Sequence, residues 1–84
     1  MPTIAKFYWI IIYMHQIRKE HNPPHIHVRY GEEMGTVKIQ DFKILSGHLS
    51  KRTYDLVKEF LILNQEELLK MWMSGDIKQL PPLQ

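Results

Sequence analysis

The chain contains no cysteine. That excludes disulfides, thiolate metal sites and a cysteine nucleophile. Small secreted domains usually lean on disulfides, so their absence points to the cytoplasm. The chain also lacks an apolar run of the roughly 20 residues that a membrane-spanning helix needs. Met1-Pro2-Thr3 leads directly into a strand-like run without the basic start of a signal peptide. There is no internal repeat and no low-complexity segment.

What is present is 84 residues, 44% of them hydrophobic, enough for a single folded domain over residues 1–84 and too apolar for a disordered chain. A chain of this length buries only about 60–65% of its unfolded surface and is marginally stable. Net charge is +2, but the excess is uneven. The first 30 residues hold Lys6, Arg18, Lys19 and Arg29 against Glu20 alone, with four of the five histidines. This end attracts phosphate or an acidic partner.

The coarse reading is α+β: a small antiparallel sheet, built from an N-terminal strand plus a hairpin, packed on two C-terminal helices. Ile4 to Met14 reads as one strand, rich in aromatic and β-branched residues. It does not alternate, so both of its faces ask for burial, and a homodimer through this first strand, or a partner protein, would supply it. Trp9 and Trp72 are assigned to the core. A second strand, His25–Tyr30, and a third, Gly35–Gln40, form a hairpin around Gly31-Glu32-Glu33-Met34. Ile44-Leu45 adds a short strand. Ser50 is an N-cap candidate, followed by a helical stripe of Tyr54, Val57, Phe60, Leu61, Leu68 and Trp72. Asn64 with Glu67 resembles a capping box and predicts a break between helices 51–63 and 65–74, with Gly75 as the stop.

The most informative stretch is His21-Asn22-Pro23-Pro24-His25-Ile26-His27-Val28-Arg29-Tyr30-Gly31. Histidine changes charge near neutral pH and is the commonest metal ligand. The prolines stiffen the backbone just before the pair. Strand alternation puts His25, His27 and Arg29 on one face beside Thr36, Lys38 and Gln40, with the apolar set turned to the helices. Both histidines are therefore expected to be at least partly accessible.

Several readings of this face compete. In the first, His25 and His27 are an acid–base pair acting on a phosphodiester, with Arg29 and Lys38 stabilising phosphate charge. In the second, His25 and His27 chelate a metal, completed by His21, His48 or a carboxylate such as Asp41, although the adjacent cations oppose that. In the third, the histidines fix the loop through hydrogen bonds. The last is a surface that binds a protein or DNA partner without catalysis. A helix-turn-helix reading is disfavoured, because Gln65-Glu66-Glu67 is acidic where a recognition helix is polar or basic.

The opening Met1-Pro2-Thr3-Ile4, the Pro23-Pro24-His25-Ile26-His27 element and the later Glu66-Glu67-Leu68-Leu69 with Trp72 together resemble the bacterial domain-of-unknown-function 4160 family over nearly the whole chain. The resemblance implies one half of a two-gene module regarded as a type II toxin–antitoxin pair. This chain would be the toxin-like component, and its cognate antitoxin would resemble the domain-of-unknown-function 2442 family. It maps the family's shared histidines onto His25 and His27, with His21 just before the prolines. Asp41-Phe42-Lys43 departs from the acidic-Thr-Gly turn of relatives. No cofactor is implied. RNA or DNA is the expected nucleic-acid partner, with no membrane.

Overall fold

A computed structural model of the protein describes residues 3–14 and 23–83. Five strands follow in sequence: β1 (Thr3–Phe7), β2 (Ile10–Tyr13), β3 (His25–Tyr30), β4 (Glu33–Lys38) and β5 (Ile44–His48). They form one antiparallel sheet in the order β1-β2-β3-β4-β5, a meander in which every strand pairs with its chain neighbour. A single helix, α1 (Lys51–Ser74), completes the α+β fold. No described helix is long and apolar enough to cross a membrane.

The expected long first strand is instead a hairpin. Phe7 pairs with Ile10, so the turn is Tyr8-Trp9, and both residues take positive φ, 50° and 67°. Left-handed φ at both central positions is what a two-residue hairpin turn of type I′ demands. No Asn or Gly announces it, which is why the run reads as continuous. Folding back brings Phe7 onto the same face as Ile10, Ile12 and Met14. One covered face thus takes the apolar residues of both halves of the run, while Ile11 and Tyr13 stay half-buried on the other. Ile4, Ala5, Phe7, Ile10, Ile12 and Met14 turn inward and are buried, while Trp9 sits at the tip, 89% exposed rather than in the core.

The second hairpin turns on Gly31-Glu32 alone, because Tyr30 pairs with Glu33. Gly31 takes φ 59°, and β4 begins two residues earlier than the spacing predicts. β5 extends through Ser46-Gly47 to His48. Gly47, at φ 80°, has no room for a side chain: a Cβ there would lie 2.1 Å from the Met34 carbonyl oxygen. The closeness of β4 and β5 at this point depends on that glycine.

Ser50 caps α1, its Oγ accepting the Thr53 N–H at 3.3 Å. Gly75 closes the helix in the left-handed conformation, its N–H donating to the Met71 carbonyl. The expected pair of helices is one helix with non-helical dihedrals at Asn64, φ −121°. Asn64 Nδ2 donates back to the Phe60 carbonyl at 3.0 Å, so the side chain bends the helix rather than starting a new one. Val57, Phe60, Leu61, Leu68 and Met71 line the buried face of α1. Phe60 stacks on Phe7 with centroids 5.2 Å apart. Helix and sheet are also tied by hydrogen bonds: Gln65 Nε2 donates to the carbonyls of Ile39 and Gln40, and Tyr54 Oη donates to that of Phe42. At the other edge the Leu80 N–H donates to the Ile4 carbonyl, laying the C-terminal segment along β1.

Candidate functional site

With α1 covering one face of the sheet, alternation assigns the other face. Registers across the strands place Ile11, Arg29, Met34 and His48 opposite one another in one row. Tyr13, His27, Thr36 and Ser46 form the next row, and His25 pairs with Lys38 beyond it. The sequence expectation that His25, His27 and Arg29 share a face is thus met. Their environments differ sharply.

His25 is buried, only 8% exposed, against the expectation that both histidines are accessible. The reason lies outside the hairpin. Trp72, from the last turn of α1, reaches the ring with centroids 5.0 Å apart. His25 Nδ1 lies 2.8 Å from the Pro23 carbonyl oxygen. A carbonyl can only accept, so Nδ1 carries the proton and the neutral ring keeps its lone pair on Nε2. The proline step therefore fixes both the ring's position and its tautomer.

His27 is half-buried. Its ring stacks on Tyr13, centroids 5.3 Å apart and planes 11° apart, and meets the His25 ring at 5.2 Å. It lines a groove of about 250 Å³ with Tyr13, Met34, Thr36 and Ser46. The Thr36 and Ser46 hydroxyls are hydrogen-bonded at 2.7 Å and place a polar pair in a groove that Tyr13, Val28 and Met34 otherwise make largely apolar. Sequence reasoning placed Thr36 beside the histidines but did not single out Ser46 or Tyr13. Their outward parity on adjacent strands is the signal that could have found them.

Arg29 is exposed. Lys38 is not a free cation, because its Nζ pairs with Asp41 at 3.2 Å. Burial alone would push the Asp41 carboxyl up, but the Lys43 N–H bond and the Lys38 ammonium together hold it below its ordinary value of 3.8. Of the two expected phosphate binders, Arg29 is therefore the better placed. His21 lies outside the described residues. Among the described residues no three His, Asp or Glu side chains are grouped to hold a metal ion.

Chemically, the arrangement presents two adjacent imidazoles, one of defined tautomer, beside a guanidinium and two hydroxyls. Comparison with curated proteins and with solved structures gave no match. The family described as Domain of unknown function (DUF4160) matches residues 9–73, a span that takes in the Trp9 tip, the paired histidines and all of α1 but its last residue. The chain belongs to that family.

Proposed function

We propose that this protein is the toxin-like component of a bacterial type II toxin–antitoxin pair and that it acts in the cytoplasm on RNA through His25 and His27. The observation that carries the chemical part is the contact of the two imidazoles, 5.2 Å apart, on a face that also presents Arg29. Acid–base cleavage of RNA needs one group to take the proton from a 2′-hydroxyl. That oxygen attacks the adjacent phosphorus, and a second group gives a proton to the departing 5′-oxygen. Two imidazoles suffice for both transfers. His27 lines the groove with its Nε2 buried, so substrate binding must uncover that atom before it can exchange a proton. His25, held by Pro23 and Trp72, offers Nε2 as its basic atom. Arg29 balances phosphate charge, and Lys38 contributes less, being engaged by Asp41. A cognate antitoxin resembling the domain-of-unknown-function 2442 family would silence the protein by covering this face.

The test is growth after induced expression of the wild type, His27→Ala and His25→Ala/His27→Ala, with folding checked by circular dichroism. Arrest by the wild type alone supports the reading. Undiminished arrest by the double variant removes the histidines from the mechanism.

A second reading, a non-catalytic adaptor that binds protein or DNA, is favoured by one observation: His25 is packed against Trp72 as a core residue would be. Wild-type expression without any growth effect would move that reading ahead. A small metal-binding protein is a third. The Nδ1–H bond to a carbonyl is also how metal-ligating imidazoles are oriented, and stoichiometric metal in untagged protein would establish it. A homodimer through β1 would have to displace the Leu80 bond to Ile4.

A further inference from the structure

We propose that the sheet face opposite α1, from the Trp9 tip to the His27 groove, is a track for single-stranded RNA, with Trp9 a base-stacking platform and Lys6 and Arg29 phosphate contacts. This deepens the RNA reading above by naming the form of the substrate and the residues that hold it.

The argument starts from charge. Among the five strands the only acidic residue is Glu33. Its cross-strand partner is Tyr30, which puts it on the helix side, where its carboxylate accepts the Ser50 N–H at 2.8 Å. No strand position on the outer face carries a negative charge. The same face carries Lys6, Arg29 and Lys38 with three histidines. Lys38 is matched by Asp41. Among the described residues, neither Lys6 nor Arg29 forms an ion pair. Two uncompensated cations on a face whose strand positions carry no acid, the neighbouring carboxylate of Asp41 being taken up by Lys38, favour a polyanion.

Position comes next. Lys6 pairs with Ile11, and Ile11 with Arg29, so the two cations flank one half-buried isoleucine in a single cross-strand row. The His27 row lies two residues further along, about 7 Å by strand geometry, comparable with one extended nucleotide. At the other end, Lys6, Tyr8, Trp9 and Ile11 line a cleft of about 510 Å³, within the roughly 300–1,000 Å³ of small-ligand sites and wide enough for a base.

The aromatic tip supplies the third argument. Trp9 is 89% exposed and held at φ 67°, beside Tyr8 at φ 50°. Aromatic residues in the left-handed region are strained, and strain of this kind collects at functional sites. A tryptophan fixed in water on a stiff two-residue turn gives up little further freedom when a base stacks on it. Alternating aromatic and cationic groups along an extended path are how proteins hold unpaired strands without reading sequence. The 2′-hydroxyl required by the histidine chemistry makes RNA, rather than DNA, the strand that can react once bound.

The test is fluorescence anisotropy with a labelled single-stranded RNA of about a dozen nucleotides, within the range of ~4–16 for such sites. The same sequence as a duplex and as DNA, and polyglutamate, serve as comparators. A 2′-O-methylated copy removes the nucleophile, so that cleavage does not interfere. The expected result is tighter binding to the single strand than to the duplex or polyglutamate. Trp9→Ala should weaken it roughly five- to 150-fold, the usual range for one lost stacking contact. The Lys6→Ala/Arg29→Ala variant should flatten the log–log salt slope by about 1.4. Both variants alter exposed side chains, and unchanged urea midpoints would verify their folds. Binding to polyglutamate as tight as to RNA, or wild-type affinity in Trp9→Ala, overturns the track. The two proposals fail separately. Growth arrest that depends on His27, with RNA affinity unchanged in Trp9→Ala, refutes the track alone. RNA binding that depends on Trp9, without any growth effect, refutes the toxin alone.

Discussion

Replacing Trp9 by glycine should make this protein more stable. The residue holds φ 67°, where an L side chain costs about 1–2 kcal/mol through contact between Cβ and the following carbonyl. Its indole is 89% exposed, so deleting it forfeits little burial. Glycine also adds freedom to the unfolded chain, which returns about 0.5–1 kcal/mol. The net gain is about 0.5–1 kcal/mol. At about 4–8 °C per kcal/mol for a domain of this size, Tm should rise by roughly 2–8 °C. The urea midpoint should rise by about 0.5–1 M for a slope near 1 kcal/mol/M. Trp9→Ala is the control: it removes the indole and keeps the Cβ, so the strain stays and stability should hardly change. A fall in Tm for Trp9→Gly would refute the reasoning, because the indole would then be stabilising the tip. A rise in both variants would mean that the exposed ring, not the backbone, is the liability. Stability and RNA affinity are expected to move in opposite directions in Trp9→Gly.

Three other perturbations test the scaffold. Gly47→Ala places a Cβ 2.1 Å from the Met34 carbonyl oxygen at a positive φ, and should cost about 2–4 kcal/mol in urea unfolding; a loss below about 0.5 kcal/mol would argue against the β4–β5 register. Phe60→Ala empties the centre of the helix–sheet contact and should cost about 3–5 kcal/mol, leaving little cooperative unfolding in a domain this small. The Ser50 N–H bond holds the Glu33 carboxyl below its ordinary value of 4.5, so its contribution is present above that pH and is lost as pH falls through the lowered value. The wild type should lose Tm below about pH 4.5 more steeply than Glu33→Gln, and parallel pH profiles would show that the contact does not couple to folding.

How far the fold could be read depended on whether each turn has its own residue chemistry. The β3–β4 hairpin was legible because Gly31 supplies the positive φ that its turn needs, with alternating strands on both sides. Its register was still two residues off, since nothing in Glu32-Glu33-Met34 marks where pairing resumes. The β1–β2 turn was illegible: Tyr8 and Trp9 are strand formers, and local propensity lost to a tertiary demand that Phe7, Ile10, Ile12 and Met14 all face the one helix. Ser50 and Gly75 marked the ends of α1 correctly through capping chemistry. Asn64 marked the place where the helical geometry breaks but not two separate helices, because the same side chain that caps a helix can also donate back to the preceding turn, and here it reaches the Phe60 carbonyl.

The site divides along the same line. Which residues share the outer face follows from parity alone, so His25, His27 and Arg29 were placed together correctly. How deep each one sits does not follow from parity. His25 is buried by Trp72, 47 positions away in the chain, and Lys38 is neutralised by Asp41 in a turn whose geometry is set by Gln65 and Tyr54 on α1. Both facts belong to the helix–sheet contact, not to the strand. They shift the proposed chemistry from two equivalent histidines to an inner ring of fixed tautomer behind an outer one that meets the groove. They also leave Arg29 and Lys6 as the cations able to meet phosphate. A strained aromatic tip, two unpaired cations and a pinned imidazole have separate structural causes, yet they lie along one path across the sheet. A fold selected only for stability would keep no exposed tryptophan at a left-handed φ, and that is the reason to look for the ligand at the tip as well as at the histidines.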